Sequence, residues 1–256
     1  MILAVDIGNT SIAMGIYKEE KLVFTTRMQT VRDKTADSII SDLQNALSIY
    51  NVTAEQLGGS VVSSVVPELT QNFTKALTEL IGKEPVVVGE KHNGNLRVDI
   101  LPVSHLGADL IAGSIGAIRK YPLPCLVADL GTATKILAID KDGRFCGCTI
   151  SPGVKISLEA LAEKTSLLPS ISLSKPERVI GENTVECMQS GIVFGTAAML
   201  DGLLSRMKRE MGEEQVTFVA TGGYSKEIVS CCETEIIYDE NLLLDGLRSI
   251  YKDAKM

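Results

Sequence analysis

Two stretches of the chain put a carboxylate, a glycine and a hydroxyl or amide side chain at the end of an apolar run. The first is MILAVDIGNTSIAMGIY, with Asp6, Gly8, Asn9, Thr10 and Ser11; the second is CLVADLGTATKILAID, with Asp129, Gly131 and Thr132. Backbone N–H groups of a tight turn form a concave nest for phosphate oxygens, and flanking hydroxyls and amides add hydrogen bonds. An aspartate beside such a turn can hold Mg²⁺ or its water shell, because Mg²⁺ takes one or two carboxylates and completes its shell with substrate phosphates and water. A lone Asp-x-Gly is an ordinary turn sequence. Its repetition in matching surroundings is a more specific signal, and it points to phosphate chemistry.

The two stretches align without a gap when Asp6 is laid on Asp129. Gly8 then meets Gly131, Asn9 meets Thr132, Ile16 meets Ile139 and Leu22 meets Phe145. Each stretch reads as an apolar strand, a polar turn, a second strand, another polar turn (Lys18 to Glu20; Lys141 to Gly143) and a third strand, the pattern of a hairpin with one more strand attached. A repeat this widely spaced predicts two similar domains, residues 1–121 and 122–256, parted at the proline-containing Tyr121 to Pro124. Around the hairpins the pattern predicts α/β order. Strands are expected near 60–66, 85–89, 217–221 and 235–238, and helices near 35–50, 68–81, 108–120, 154–164, 183–212 and 225–231.

Composition narrows the class of partner. The chain has 256 residues, 45% apolar and 22% charged, with a net charge of −7. This is ordinary globular composition, and the acidic balance without a basic run argues against a nucleic-acid surface. No apolar run approaches membrane-spanning length, and the opening residues carry no signal-peptide pattern, so a cytoplasmic protein is expected. Cys125, Cys146, Cys148, Cys187, Cys231 and Cys232 include no C-x-x-C pair, and only His92 and His105 could join them, so neither zinc nor a disulfide framework is expected. They read as reduced, mostly buried thiols, with Cys146 and Cys148 packing along a strand. Met188, Met199, Met207 and Met211 read as core filling on a helix. The chain has no G-x-x-x-x-G-K-[ST] and no strand-associated G-x-G-x-x-G, which disfavours P-loop, Rossmann and protein-kinase sites.

An ordered set of short motifs then resembles one family. DIGNT (Asp6 to Thr10), SVVP (Ser64 to Pro67), GAD (Gly107 to Asp109), DLGTAT (Asp129 to Thr134), SPG (Ser151 to Gly153), TSLLP (Thr165 to Pro169), IGENT (Ile180 to Thr184), SGIVFG (Ser190 to Gly195) and TGG (Thr221 to Gly223) follow one another as they do in type III pantothenate kinases. The resemblance implies two duplicated ribonuclease H-like domains of the actin, sugar-kinase and Hsp70 ATPase type, with ATP in an interdomain cleft. It implies phosphorylation of pantothenate to 4'-phosphopantothenate, the first step of coenzyme A biosynthesis, by a cytoplasmic homodimer. The alternatives are a kinase of the same fold acting on another small hydroxy acid, and a non-catalytic ATP-binding regulator.

Residue by residue, the resemblance assigns ATP phosphates to Asp6, Ile7, Gly8, Asn9, Thr10, Ser11, Ile12, Ala13 and Thr132, with Asp6 nearest Mg²⁺. Asp129 is assigned to a monovalent cation, K⁺ or NH₄⁺. Gly107, Ala108, Asp109, Leu110 and Thr184 border pantothenate, with Asp109 accepting the proton of its primary hydroxyl. An aspartate in the first turn of a helix also has a purely structural use, because it meets the helix dipole favourably. The chain departs from the family at Leu110, where an Arg is usual, at Cys148, where a glycine is usual, and in lacking a Tyr within NLRVDILPVSHLGADL. Since Leu110 brings no charge to a carboxylate substrate, Lys135 is expected to supply it, with Lys155 as the competing candidate.

Overall fold

The computed structural model describes residues 1–98 and 102–256; within NLRVDILPVSHLGADL, residues 99–101 lie outside the described set. The chain divides into two compact units, Met1–Lys120 with Asn241–Met256, and Tyr121–Glu240.

The first unit is built on a five-stranded sheet in the order β3-β2-β1-β4-β5. Its strands are β1 (Ile2–Ile7), β2 (Ser11–Lys18), β3 (Lys21–Gln29), β4 (Gly59–Ser64) and β5 (Val86–Val87). Strands β1, β2 and β3 form an antiparallel meander, while β4 joins β1 in parallel after a helical crossover. Alternation along the strands decides what faces what. Leu3, Val5 and Ile7 of β1 and Ile12, Met14 and Ile16 of β2 pack with Ile39 and Leu43 of α1 (Ala36–Ile49) and with Leu69, Phe73 and Leu77 of α2 (Pro67–Ile81). Asp6 has the opposite parity and stays off that core.

The other face meets α7 (Leu242–Lys255), whose Leu244 lies over Gly15 of β2 and whose Tyr251 hydroxyl lies over Gly59 of β4. The Tyr17 hydroxyl donates to Asp245 Oδ1 at 2.7 Å, and Lys120 pairs with Asp245 Oδ2 at 2.5 Å. This apolar and ionic docking puts Asn241–Met256 in the first unit, whereas the sequence reading placed it in residues 122–256. No helix is among those expected here from the sequence, although Leu242, Leu244, Leu247 and Ile250 are all buried along it. Gly246 is there for packing: α7 lies so close to α3 (Ala108–Lys120) that a methyl on Gly246 would run into the Ala112 carbonyl oxygen, and one on Gly116 into that of Leu242. A short strand, β6 (Arg97–Val98), precedes α3.

The second unit repeats the arrangement. Strands β7 (Cys125–Leu130), β8 (Ala133–Ile139), β9 (Arg144–Pro152), β10 (Thr217–Thr221) and β11 (Ile237–Tyr238) lie in the order β11-β10-β7-β8-β9. Again the first three are antiparallel neighbours and the fourth joins the first in parallel. Leu126, Ala128 and Leu130 of β7 pack with Val154 and Leu158 of α4 (Val154–Lys164), with Ile228 of α6 (Ser225–Val229) and with α5 (Thr184–Met211). The shared strand order is that of duplicated ribonuclease H-like domains.

The duplication extends to a shared irregularity. Strand register shifts between Ile16 and Tyr17 in the first unit and between Ala138 and Ile139 in the second. The gapless alignment is corrected here, because Tyr17, not Ile16, is the counterpart of Ile139: Tyr17 faces Ile2 while Ile139 faces Cys125. The second Asp-x-Gly turn is one residue shorter, closing with Gly131 N–H on Ala133 O where the first closes with Gly8 N–H on Ser11 O. The residue is regained in the next turn, at Lys141 to Gly143.

Two further expectations change. Only Cys125 is fully buried; Cys146, Cys148 and Cys187 are exposed and Cys231 and Cys232 half-buried, all six being free thiols. Cys146 and Cys148 share an outward face of β9 with the exposed Ile150, which is why strand alternation did not bury them. Helix α5 is long and apolar enough by length and composition to cross a membrane. Met188, Ile192, Val193, Ala197, Leu200 and Leu204 nevertheless pack into the unit's core, with Met199, Met207 and Met211 beside them as expected.

Gly246→Ala is expected to lower the thermal midpoint by roughly 2–12 °C, since overpacking costs about 1–3 kcal/mol. An unchanged midpoint in a calorimetric scan would show that α3 and α7 separate without cost.

Candidate functional site

The first Asp-x-Gly turn is held from outside by the end of β3. Thr30 N–H donates to Thr10 O at 3.0 Å, and the Thr30 hydroxyl donates to Gly8 O at 2.7 Å. Arg32 reaches back from the same segment and donates from Nη2 to Asn9 Oδ1 at 3.0 Å. On the inner side, Val65 N–H donates to Ile7 O at 3.1 Å, and Ser64 Oγ accepts from Val66 N–H, so SVVP fixes the strand beside the turn and Pro67 starts α2. A methyl on Gly8 would come within 3.0 Å of Ser11 O, so a larger residue would crowd the turn. Asn9 and Thr10 are exposed, Asp6, Gly8, Ser11 and Ala13 half-buried, and Ile7 and Ile12 buried. The apolar pair anchors the turn while its polar groups face outward.

The second turn is walled by backbone. A methyl on Gly153 would strike the carbonyl oxygens of Thr132 and Gly131, and one on Gly222 would come within 2.6 Å of Leu130 O. Gly222 also has a φ of +101°, outside the range that side-chain-bearing residues normally adopt. SPG and TGG are therefore the close packing around this turn, and Gly153 begins α4 as its N-cap. Beside it, Val154, Leu158, Glu159, Ile171, Leu173 and Tyr224 line a cavity of about 230 Å³.

The two aspartates differ in what faces them across their hairpins. Asp6 is opposite Ala13, and Asp129 is opposite Lys135. Lys135 Nζ lies 2.8 Å from Asp129 Oδ2, with both side chains only 14% exposed. This corrects the expectation that Lys135 supplies a charge to a carboxylate substrate, because its ammonium turns to its neighbouring strand. Lys155, the competing candidate, forms an exposed pair with Glu159 one helical turn on, at 3.6 Å.

Asp109 stands in the first turn of α3. Its Oδ1 accepts from Leu110 N–H at 2.8 Å and folds back over Gly107, where a methyl would come within 2.5 Å of it. Gly107 thus leaves room for the carboxylate. Ala108 and Leu110 are each 8% exposed, so their side chains serve packing and only their backbone could meet a ligand. Thr184 is exposed at the start of α5, whose N-cap Asn183 accepts from Glu186 N–H at 3.0 Å. Covalent thiol chemistry has no support at Cys125 or Cys232, since burial pushes each thiol up to about 12.

The family model described as type III pantothenate kinase matches residues 2–206. The chain belongs to that family. A type III pantothenate kinase of an Exiguobacterium strain is 40% identical over 252 residues, covering 98% of each chain, and one from Exiguobacterium sibiricum is 40% identical over 255 residues, covering 100% of each. Among solved structures, the chain is similar to component A of the (R)-2-hydroxyglutaryl-CoA dehydratase of Acidaminococcus fermentans. That match has a TM-score of 0.59 at 14% identity, covering 100% of this chain and 99% of the other, and it shows the fold alone.

Sequence reasoning missed two residues that this family member places at the first turn, Thr30 and Arg32. They lie beyond the repeat that drew attention to the turn, and only the β2–β3 register brings them back to it. Thr30→Val is expected to raise the KM for ATP about three- to tenfold, as loss of roughly 1 kcal/mol of turn support would, with the acceptor KM near wild type. Varying ATP and acceptor separately checks this; an equal rise in both would contradict it.

Proposed function

We propose that the protein transfers the γ-phosphoryl group of Mg-ATP to the primary hydroxyl of pantothenate, opening coenzyme A synthesis. The observation that carries this reading is the Asp109 carboxylate set over Gly107 at the head of α3, in a member of this family that also has both Asp-x-Gly turns.

Phosphoryl transfer asks mainly for positioning and for charge to be neutralised. In this reading the outward N–H and hydroxyl groups of Asn9, Thr10 and Ser11 receive phosphate oxygens, Thr132 contributes from the second turn, and Arg32 adds a cation beside Asn9. Asp6 suits Mg²⁺, because it is a half-buried carboxylate near the end of β1, beside the turn that receives the phosphates. One carboxylate is enough for Mg²⁺ when phosphates and water complete its shell. When bound, Mg²⁺ neutralises charge on the transferring phosphates. The pantothenate hydroxyl oxygen bonds to the γ-phosphorus, the bond to the β–γ bridging oxygen breaks and ADP leaves, and the hydroxyl proton passes to Asp109. The Leu110 N–H bond holds that carboxylate in place for the step. Gly107, the Ala108 and Leu110 backbone, and Thr184 border the acceptor.

Two finer features belong to the same reading. Free thiols and ATP use suit the cytoplasm. Gly191, Gly195, Ala198 and Gly202 form an exposed face of small residues on α5, and we assign the contact of a homodimer to it. A monomer by sedimentation would refute that assignment.

ADP release should depend on pantothenate and stay at background with other hydroxy acids or no acceptor. Asp109→Asn is expected to lower kcat at least about a hundredfold, with ATP affinity within about twofold. A variant that only melts earlier and turns over normally would leave Asp109 a helix-start residue; release without an acceptor would overturn the reading.

A further inference from the structure

The resemblance assigns Asp129 to a mobile monovalent cation, and the residues present do not fit one. Asp129 Oδ2 already holds the Lys135 ammonium at 2.8 Å, in a pair whose side chains are each 14% exposed. The pair is built by register, since Asp129 and Lys135 are direct partners across β7 and β8. Directly opposed residues on neighbouring strands are close enough for a lysine to reach the carboxylate without leaving its strand. The corresponding position in the first unit is Ala13, so the cross-strand lysine belongs to the second hairpin alone.

The chemistry of the substitution is close. A lysine ammonium is an alkylated NH₄⁺, with one positive charge and three N–H donors. A free ion must be drawn from solvent and gives up hydration and freedom at each binding, whereas Lys135 is tethered to the strand that closes the turn. It sits at the base of a turn whose backbone is packed on both sides by Gly153 and Gly222, so its position is set by the sheet and not by ion concentration.

We propose that Lys135 is the built-in monovalent cation of this chain, and that nucleotide binding and turnover are therefore independent of K⁺ and NH₄⁺. The proposal rests on the phosphate-binding role assigned to the second turn.

The test is a cation titration of the full-length protein with Mg-ATP and pantothenate. Tris and choline salts replace all K⁺, Na⁺ and NH₄⁺, and KCl or NH₄Cl is then added at constant ionic strength. Wild-type kcat/KM for ATP is expected to change by less than about twofold, while Lys135→Ala falls at least about tenfold in choline and recovers with NH₄⁺ or methylammonium. A fluorescent ATP analogue, titrated under the same conditions, supplies a readout that does not need catalysis: its Kd should ignore K⁺ in wild type and depend on NH₄⁺ in the variant. Activation of the wild type by K⁺ of about tenfold or more would overturn the proposal, as would a Lys135→Ala protein that no small cation improves. If pantothenate is never phosphorylated but the analogue binds with the predicted cation pattern, the kinase reading fails and this one stands. Should Lys135→Ala not fold, the wild-type titrations and Lys135→Met decide alone.

Discussion

Strand alternation in β1 and β7 is the constraint on which the rest of the molecule depends. Each strand must bury every second side chain against helices, and Leu3, Val5 and Ile7, like Leu126, Ala128 and Leu130, do so. Asp6 and Asp129 then fall on the opposite parity, one residue before the last apolar anchor, where a carboxylate avoids the cost of burial in an apolar core. A shift of one residue would drive the carboxylates into the core and the anchors into the turn. The site is thus a consequence of the same pattern that folds the sheets, and Gly8, Gly153 and Gly222 let neighbouring backbone close around the turns.

The duplicated hairpins share this frame and differ in detail. Both carry the same register shift in the same place, yet the first turn is one residue longer and is braced by Thr30 and Arg32, while the second is braced by glycines. The first aspartate is opposite a methyl and suits a divalent ion with phosphates; the second is neutralised by Lys135. The same hairpin geometry thus carries different residues opposite its two aspartates, Ala13 in the first and Lys135 in the second.

Much of this was legible in the sequence, because hairpins and amphipathic helices are local patterns. Helix α3 begins and ends at the expected residues, and β10 does likewise. What was not legible depended on partners distant in the chain. Why position 246 carries no side chain is legible only once the Ala112 carbonyl oxygen is seen against it. Lys135 looks like a free charge until register sets it beside Asp129, and the gapless repeat conceals that register because the missing residue in one turn is restored in the next. Thr30 carries no motif; only strand pairing brings it to Gly8. For Cys146 and Cys148 alternation says which residues share a face, not whether that face is covered.

The central claim is that the two aspartates have separated in role, Asp6 serving the divalent ion and Asp129 a fixed ammonium. The half-saturating Mg²⁺ concentration at fixed ATP, measured for wild type, Asp6→Asn and Asp129→Asn, tests it most directly. A rise of about tenfold or more is expected for Asp6→Asn, because an amide holds Mg²⁺ less strongly than a carboxylate, and a value within about twofold of wild type for Asp129→Asn. Equal rises in the two variants, or none in Asp6→Asn, would contradict it.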